Sequence, residues 1–174
     1  MEYLIIFETV EGQTRKIVDQ VAQQIQEAGQ SFQLFNTKDK FAPLTFEGVD
    51  KVILAAPVHE RRHPKSFEVL VAANTAELKA RKTLMISVSL KAAFPESLEE
   101  AQDYLTEMEM RTGFTPDQEV LAAGAVRSES YSYFESQIVQ HVALAGHDVN
   151  LDDGVREFTD WAQLRTDVQS FMDG

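Results

Sequence analysis

Leu4, Ile5, Ile6 and Phe7 form an unbroken apolar run that stops at Glu8, and a helical pattern begins at Thr14. An apolar run of this kind, with no polar alternation, suits a strand buried on both faces, as in a parallel sheet covered by helices. Parallel neighbours cannot be joined by a hairpin and need a crossover, so this short stretch already commits the chain to an α/β plan. The connection Glu8-Thr9-Val10-Glu11-Gly12-Gln13 holds one glycine, with hydroxyls at Thr9 and Thr14. A strand feeding such a loop into a helix N-terminus makes an anion site, because the first N–H groups of the helix have no internal acceptor and the helix dipole favours negative charge. Phosphate is the ligand that fits best. The same residues also describe an ordinary strand-to-helix connection with Thr14 near the cap, and local chemistry leaves both readings open.

The rest of the chain repeats the alternation. Ile17, Val18, Val21, Ala22 and Ile25 mark one helical face, closed by Gly29. Phe32, Leu34 and Phe35 suggest a half-buried strand, and Lys51–Ala56 a fully buried one stopped by Pro57. A helix is expected from about Pro64 to Leu78, then a strand over Thr83–Val88. Pro95 and Ser97 open a helix with Leu98, Ala101, Leu105 and Met108 inward, ending near Gly113. Glu119–Val126 reads as a fifth strand of small residues, as if something packs closely on it. Helices over Tyr131–Gly146 and from Thr159 to Phe171 complete the set. Five alternations specify a doubly wound parallel sheet, whose ligands sit outside the carboxyl ends of the strands at the switch point. The loops after strands one, three and four are therefore the ones to carry chemistry. A length of 174 residues suits one domain, 1–174.

Composition narrows the partners. The chain has no cysteine, which removes disulfides, zinc thiolates and thiol chemistry. A net charge of −12 argues against nucleic acid and against an electrostatic anchor on anionic lipid. The apolar N-terminus is too short for a signal-peptide core and is flanked by Glu2 and Glu8, so a cytoplasmic address is expected. Glu96, Glu99, Glu100, Asp103, Glu107 and Glu109 mark the helix after strand four as acidic, a solvated face or a dock for a redox partner.

The loop after strand three, Pro57-Val58-His59-Glu60-Arg61-Arg62-His63-Pro64, contains a literal H-E-x-x-H. As a zinc-hydrolase signature that motif needs a helix, which puts both imidazoles on one face. Pro64 biases His63 away from helical geometry, and no third ligand follows. No metal is expected here.

The first loop also carries a resemblance. With Thr9, Gly12 and Thr14 in place, T-x-x-G-x-T resembles the FMN phosphate loop of flavodoxins. The fuller T-x-x-G-Q-T-R is most similar to that of the short, flavodoxin-like menaquinone-dependent protoporphyrinogen oxidases of bacteria. Further similarities follow in order: Ser87-Val88-Ser89-Leu90, with Ser89 where that family usually has asparagine; A-G-A-V-R at Ala123–Arg127; Tyr131 and Tyr133; and F-T-D-W at Phe158–Trp161. The resemblance implies FMN as cofactor. Thr9 and Thr14 would give hydroxyls, and Gly12 and Gln13 backbone donors, to its phosphate. Glu11 stands where ordinary flavodoxins carry threonine, and Glu8 and Glu11 would repel a dianion unless they point away. Pro57, Val58 and His59 would flank the flavin ring, with Glu60 and Arg61 replacing the family's tyrosine-glycine pair. Ser87, Val88, Ser89 and Leu90 would meet its pyrimidine edge.

The resemblance implies a flavodoxin-like five-stranded parallel sheet in the order 2-1-3-4-5 with helices on both faces. It implies an FMN-binding redox protein, protoporphyrinogen oxidase-like, exchanging electrons with a partner protein or quinone, and compatible with a homodimer. The stretch S-E-S-Y-S-Y-F-E-S, residues 128–136, is acidic and polar where that family is basic and apolar, which argues against membrane association. The rival reading is a flavodoxin fold with a degenerate flavin site serving as a regulatory or interaction module.

Overall fold

The computed structural model describes residues 1–127 and 155–174. β1 (Glu2–Phe7) leads through α1 (Gln13–Glu27) to β2 (Ser31–Asn36), then directly to β3 (Lys51–Pro57). α2 (Lys65–Ala73), α3 (Thr75–Lys79), β4 (Lys82–Ser89), α4 (Leu98–Thr112) and β5 (Gln118–Ala123) follow. These five strands form one sheet in the order β2-β1-β3-β4-β5, every pair parallel, as expected.

The alternation of β1 shows why its run has no polar member. Tyr3, Ile5 and Phe7 pack with Ile17, Val21 and Ile25 of α1, while Leu4 and Ile6 pack with Phe67 and Val71 of α2 and Leu105 and Met108 of α4. Each face meets a helical layer, so no position can be polar without a buried partner. Lys51, at the start of β3, meets that condition. It is 5% exposed, and its ammonium donates to the carbonyls of Phe171 and Met172, both at 3.0 Å. These carbonyls end α5 (Trp161–Asp173), the helix beside α1, and a cation there complements the helix dipole.

Three local expectations change. The helix expected over 64–78 breaks at Asn74, whose side chain donates to the Leu70 carbonyl at 2.8 Å and divides α2 from α3. Leu98 does not face the core: it starts α4 at 42% exposure, and Tyr104 is buried instead. The fifth strand divides at Gly124. β6 (Ala125–Arg127) leaves the main sheet and pairs antiparallel with β7 (Val155–Glu157), an element without a hydrophobic signal of its own. The helix expected over Tyr131–Gly146 lies outside the described residues.

Candidate functional site

β1 delivers the first loop. The Glu8 N–H still pairs with the Ala55 carbonyl at 3.1 Å, and its side chain turns into the protein. Fully buried, its carboxylate accepts from the hydroxyls of Thr37 at 3.0 Å and Ser66 at 2.5 Å. One of the two loop carboxylates thus points away from the candidate anion site, while Glu11 lies on the cleft wall beside His59. The Thr9 hydroxyl accepts the Gly12 N–H at 3.0 Å and closes the turn. Gly12 caps α1 with φ of 98°, a left-handed conformation that glycine adopts without the clash a Cβ brings. The first helical bond runs from the Lys16 N–H to the Gly12 carbonyl, 3.1 Å. The N–H groups of Gln13, Thr14 and Arg15 therefore have no acceptor one turn back. The helix starts at Gln13, capped by Gly12 rather than near Thr14.

Gln13 also acts through its side chain, which the sequence reading did not foresee. Its amide nitrogen donates to the Glu157 carboxylate and the Thr159 hydroxyl, each at 3.0 Å, and its oxygen accepts from Arg127 at 2.5 Å. Glu157 also takes Lys16 at 2.6 Å and the Trp161 indole N–H at 2.7 Å. Burial works to raise the Glu157 pKa, but the hydrogen bonds from Lys16, Gln13 and Trp161 outweigh it and hold it below the ordinary value. The Thr159 hydroxyl in turn donates a hydrogen bond to the Ala123 carbonyl at 2.6 Å. The first loop, the end of β5 and the β7–α5 junction are one bonded unit.

The H-E-x-x-H stretch is a two-residue hairpin turn. His59 and Arg62 exchange backbone bonds of 2.9 and 3.2 Å across Glu60 and Arg61, at φ of 50° and 66°. Both are left-handed without being glycine, a conformation that costs about 1–3 kcal/mol each and persists only where the surroundings impose it. Three anchors do so. The Val58 N–H bonds the Val88 carbonyl at 2.7 Å, Arg62 bonds Glu68 at 2.7 Å, and the His63 Nε2 lies 2.8 Å from the Ser87 hydroxyl. Glu68 also takes Arg111 at 2.7 Å. Burial would raise the Glu68 pKa, but hydrogen bonds from Arg111 and Arg62 bring it below the ordinary value.

The two histidines face different surroundings. His63 is 1% exposed, and burial drives its pKa down to about 4, with Arg111 adding to the effect and Glu68 opposing it. It is a neutral wedge between the turn and β4. His59 lies at the surface of a cleft, its Nδ1 3.9 Å from a Glu11 carboxylate oxygen. Among the described residues, no three His, Cys, Asp or Glu side chains are grouped to hold a metal.

The cleft opens at the carboxyl ends of β1, β3 and β4 and encloses about 820 Å³, solvent at its mouth included. From the first loop it is lined by Glu11, Gln13 and Thr14; after β3, by Pro57, Val58 and His59; after β4, by Val88, Ser89 and Leu90. Thr9, Gly12 and Ser87 are not on its wall, the first two forming the turn behind it and Ser87 being held by His63. Sequence reasoning missed Val10, Lys91, Tyr104, Gly124 and Ala125, which also line it. The small-residue run A-A-G-A was the available signal for the last two. A Cβ on Gly124 would stand 3.5 Å from Val88, so the floor is already at contact distance. Thr14 is 2% exposed, and its hydroxyl is bonded to none of the described residues.

These parts fit FMN. The N–H groups with no acceptor one turn back and the Thr14 hydroxyl suit its phosphate, and the apolar side chains of Val58, Val88 and Leu90 on the cleft wall suit its ring. A family model described as a flavodoxin domain matches residues 4–149, and the chain belongs to that family, a class of FMN-binding redox flavoproteins. Within the class, it is 26% identical to protoporphyrinogen IX dehydrogenase [quinone] of Escherichia coli (strain K12), across 94% of this chain and 91% of that protein. Solved structures agree on the fold. A short-chain flavodoxin associated with a PDU bacterial microcompartment matches with a TM-score of 0.60 at 9% identity, covering 99% of this chain and 97% of that one. Oxidised flavodoxin 1 from Bacillus cereus matches with a TM-score of 0.51 at 18% identity, covering 82% and 99%.

Proposed function

We propose that the protein is an FMN-dependent oxidoreductase of the protoporphyrinogen dehydrogenase kind, taking electrons from a reduced cyclic substrate and passing them to a quinone or a redox protein. FMN supplies the chemistry, accepting and releasing one or two electrons. The chain's own residues bind and orient it. Gln13, Thr14 and Arg15 hold the phosphate through backbone N–H groups, with the Thr14 hydroxyl as a further donor. Gly12 sets the turn that aims them, and Thr9 fixes Gly12. Pro57, Val58 and His59 on one side, and Val88, Ser89 and Leu90 on the other, flank the ring, while Gly124 and Ala125 leave it room. Ser87 keeps the second wall in register through His63.

The observation that carries this reading is the Thr14 hydroxyl, bonded to none of the described residues, beside three N–H groups with no acceptor one turn back, on the wall of a cleft formed where the strand order reverses. Glu11 on the cleft wall favours the second reading, a flavodoxin fold whose flavin site has weakened in favour of an interaction role. The visible absorbance spectrum separates them. Purified protein reconstituted with FMN shows flavin bands after desalting under the first reading and none under the second. Anaerobic bleaching of those bands by a porphyrinogen, with recovery on adding a quinone, then tests the substrate assignment; bands that stay oxidised contradict it.

A further inference from the structure

Phe41 is 96% exposed, whereas Phe7, Phe46, Phe67 and Phe114 are buried. It stands in the connection between β2 and β3, where the backbone is pinned on both sides of it. The Asp39 carboxylate accepts the Phe41 N–H at 3.0 Å and the Ala42 N–H at 3.2 Å. The Lys38 ammonium donates to the Thr9 carbonyl at 2.8 Å. The turn therefore holds a large aromatic side chain out in water, where its hydrophobic contribution goes unused. Lys38 and Lys40 flank it, both exposed. Lys40 pairs with none of the described residues, and Lys38 with no carboxylate among them. With Asp39 counted, the tip still carries an excess positive charge in a chain whose net charge is −12.

A surface of the opposite character lies at the other edge of the sheet. A groove along β5 and α5 encloses about 760 Å³, open solvent included, over Val120, Ala122, Phe158 and Leu164. Asp160 and Asp167 line it as well. Asp160 accepts the Gln163 N–H at 3.0 Å and Asp167 the Gln163 side-chain amide at 2.9 Å, and neither pairs with a cation among the described residues. Arg156 lies over the Phe158 ring, 5.3 Å from its centroid, so two carboxylates stand against one cation there. β2 and β5 are separated by four strand spacings, about 19 Å, so Phe41 does not reach the groove of its own chain.

We propose that the protein self-associates through these two surfaces, Phe41 of one copy entering the β5–α5 groove of another, with the flanking lysines against Asp160 and Asp167. The apolar floor takes the ring, and the carboxylates supply the charge that the tip lacks. The contact is heterologous, because tip and groove are different surfaces of the same chain. Neither Phe41 nor the groove residues line the cleft, so the inference stands apart from the FMN reading.

Sedimentation equilibrium of the full chain, with FMN added, tests this. Wild type should show a mass that rises with concentration above the 19.6 kDa of one copy. High salt should weaken the association by screening the lysine–aspartate attraction. Phe41→Ser should weaken it at least about tenfold, as expected for an aromatic ring that is buried only in the contact, with the melting temperature unchanged. Asp167→Lys should weaken it by reversing a charge on the groove. An equimolar mixture of the two variants should associate again and stop at pairs, because one copy keeps the tip and the other keeps the groove. Wild type that stays a single copy at every concentration would leave the tip to another kind of partner and overturn the proposal. Either variant associating like wild type, or a mixture no larger than its components, would overturn it too. Phe41 lies outside the core, so Phe41→Ser decides the matter if Asp167→Lys does not fold.

Discussion

Gln13 and Glu157 stand 144 positions apart in the chain and are joined by a 3.0 Å hydrogen bond. Gln13 is the first residue of the helix whose N-terminus faces the cleft, and Glu157 is the last residue of β7. This contact joins the T-x-x-G-Q-T-R loop to the F-T-D-W segment: Gln13 also reaches Thr159, and Trp161 reaches Glu157. The glutamine side chain fixes the β7–α5 junction while its backbone starts the helix at the cleft.

Gln13→Ala should lower the unfolding free energy by about 1–2 kcal/mol, because it leaves Arg127 and Glu157 short of a partner in a part-buried setting. A double-mutant cycle with Glu157→Ala should give a coupling of about 1 kcal/mol. Urea unfolding at neutral pH measures both. Strict additivity would show that the two residues do not act together.

The strain at the turn predicts a gain. Arg61→Gly removes a left-handed non-glycine residue and should raise stability by about 1 kcal/mol, the relief exceeding the added freedom of the unfolded chain. Glu60→Gly should act in the same direction. A fall in melting temperature for both would mean that the turn is not held at positive φ.

How much of this was legible in the sequence depends on the range of the forces involved. β1, β3 and β4 announced themselves because both of their faces are buried, and the helices because one stripe is. The parallel sheet followed from the alternation, through the rules for crossovers, and its strand order from the resemblance to flavodoxins. The cleft's three loops followed from the order. What stayed hidden was set by contacts between distant polar residues: the Gln13–Glu157 bond, Lys51 under the end of α5, and Tyr104 reaching the cleft from α4. A Glu-Arg pair does not announce a left-handed hairpin, because its propensity points elsewhere and the anchors at Arg62, His63 and Val58 impose it. The division at Gly124 was marked by the glycine, but β7, at Val-Arg-Glu, carries no pattern that separates a short exposed strand from a loop.

His63 predicts a pH dependence. Its folded pKa of about 4 lies below the ordinary 6.5, so the unfolded chain binds the extra proton first as pH falls. Stability should therefore drop between about pH 6.5 and 4, by about 3 kcal/mol, with no contribution from this group above pH 7. Glu109, pushed up to about 7 by burial and by its neighbour Glu119, works in the opposite sense over much of that window. The His63 contribution is accordingly read as a difference between wild type and His63→Gln, unfolded in urea at pH 7.5 and pH 4.5. The variant should lose less stability on acidification. Parallel pH profiles would contradict the assignment.

The central claim is that the Thr9–Thr14 loop holds the phosphate of FMN, and titration of FMN into flavin-free protein, followed by quenching of flavin fluorescence, tests it most directly. Wild type should bind more tightly than millimolar. Thr14→Val should weaken binding about ten- to a hundredfold, as expected for a lost hydrogen bond to a charged oxygen, with little change in unfolding free energy. Glu11→Thr should tighten binding, most visibly at low salt, by removing a carboxylate from the cleft wall. Wild-type affinity weaker than millimolar, or indifference of that affinity to both substitutions, would contradict the account.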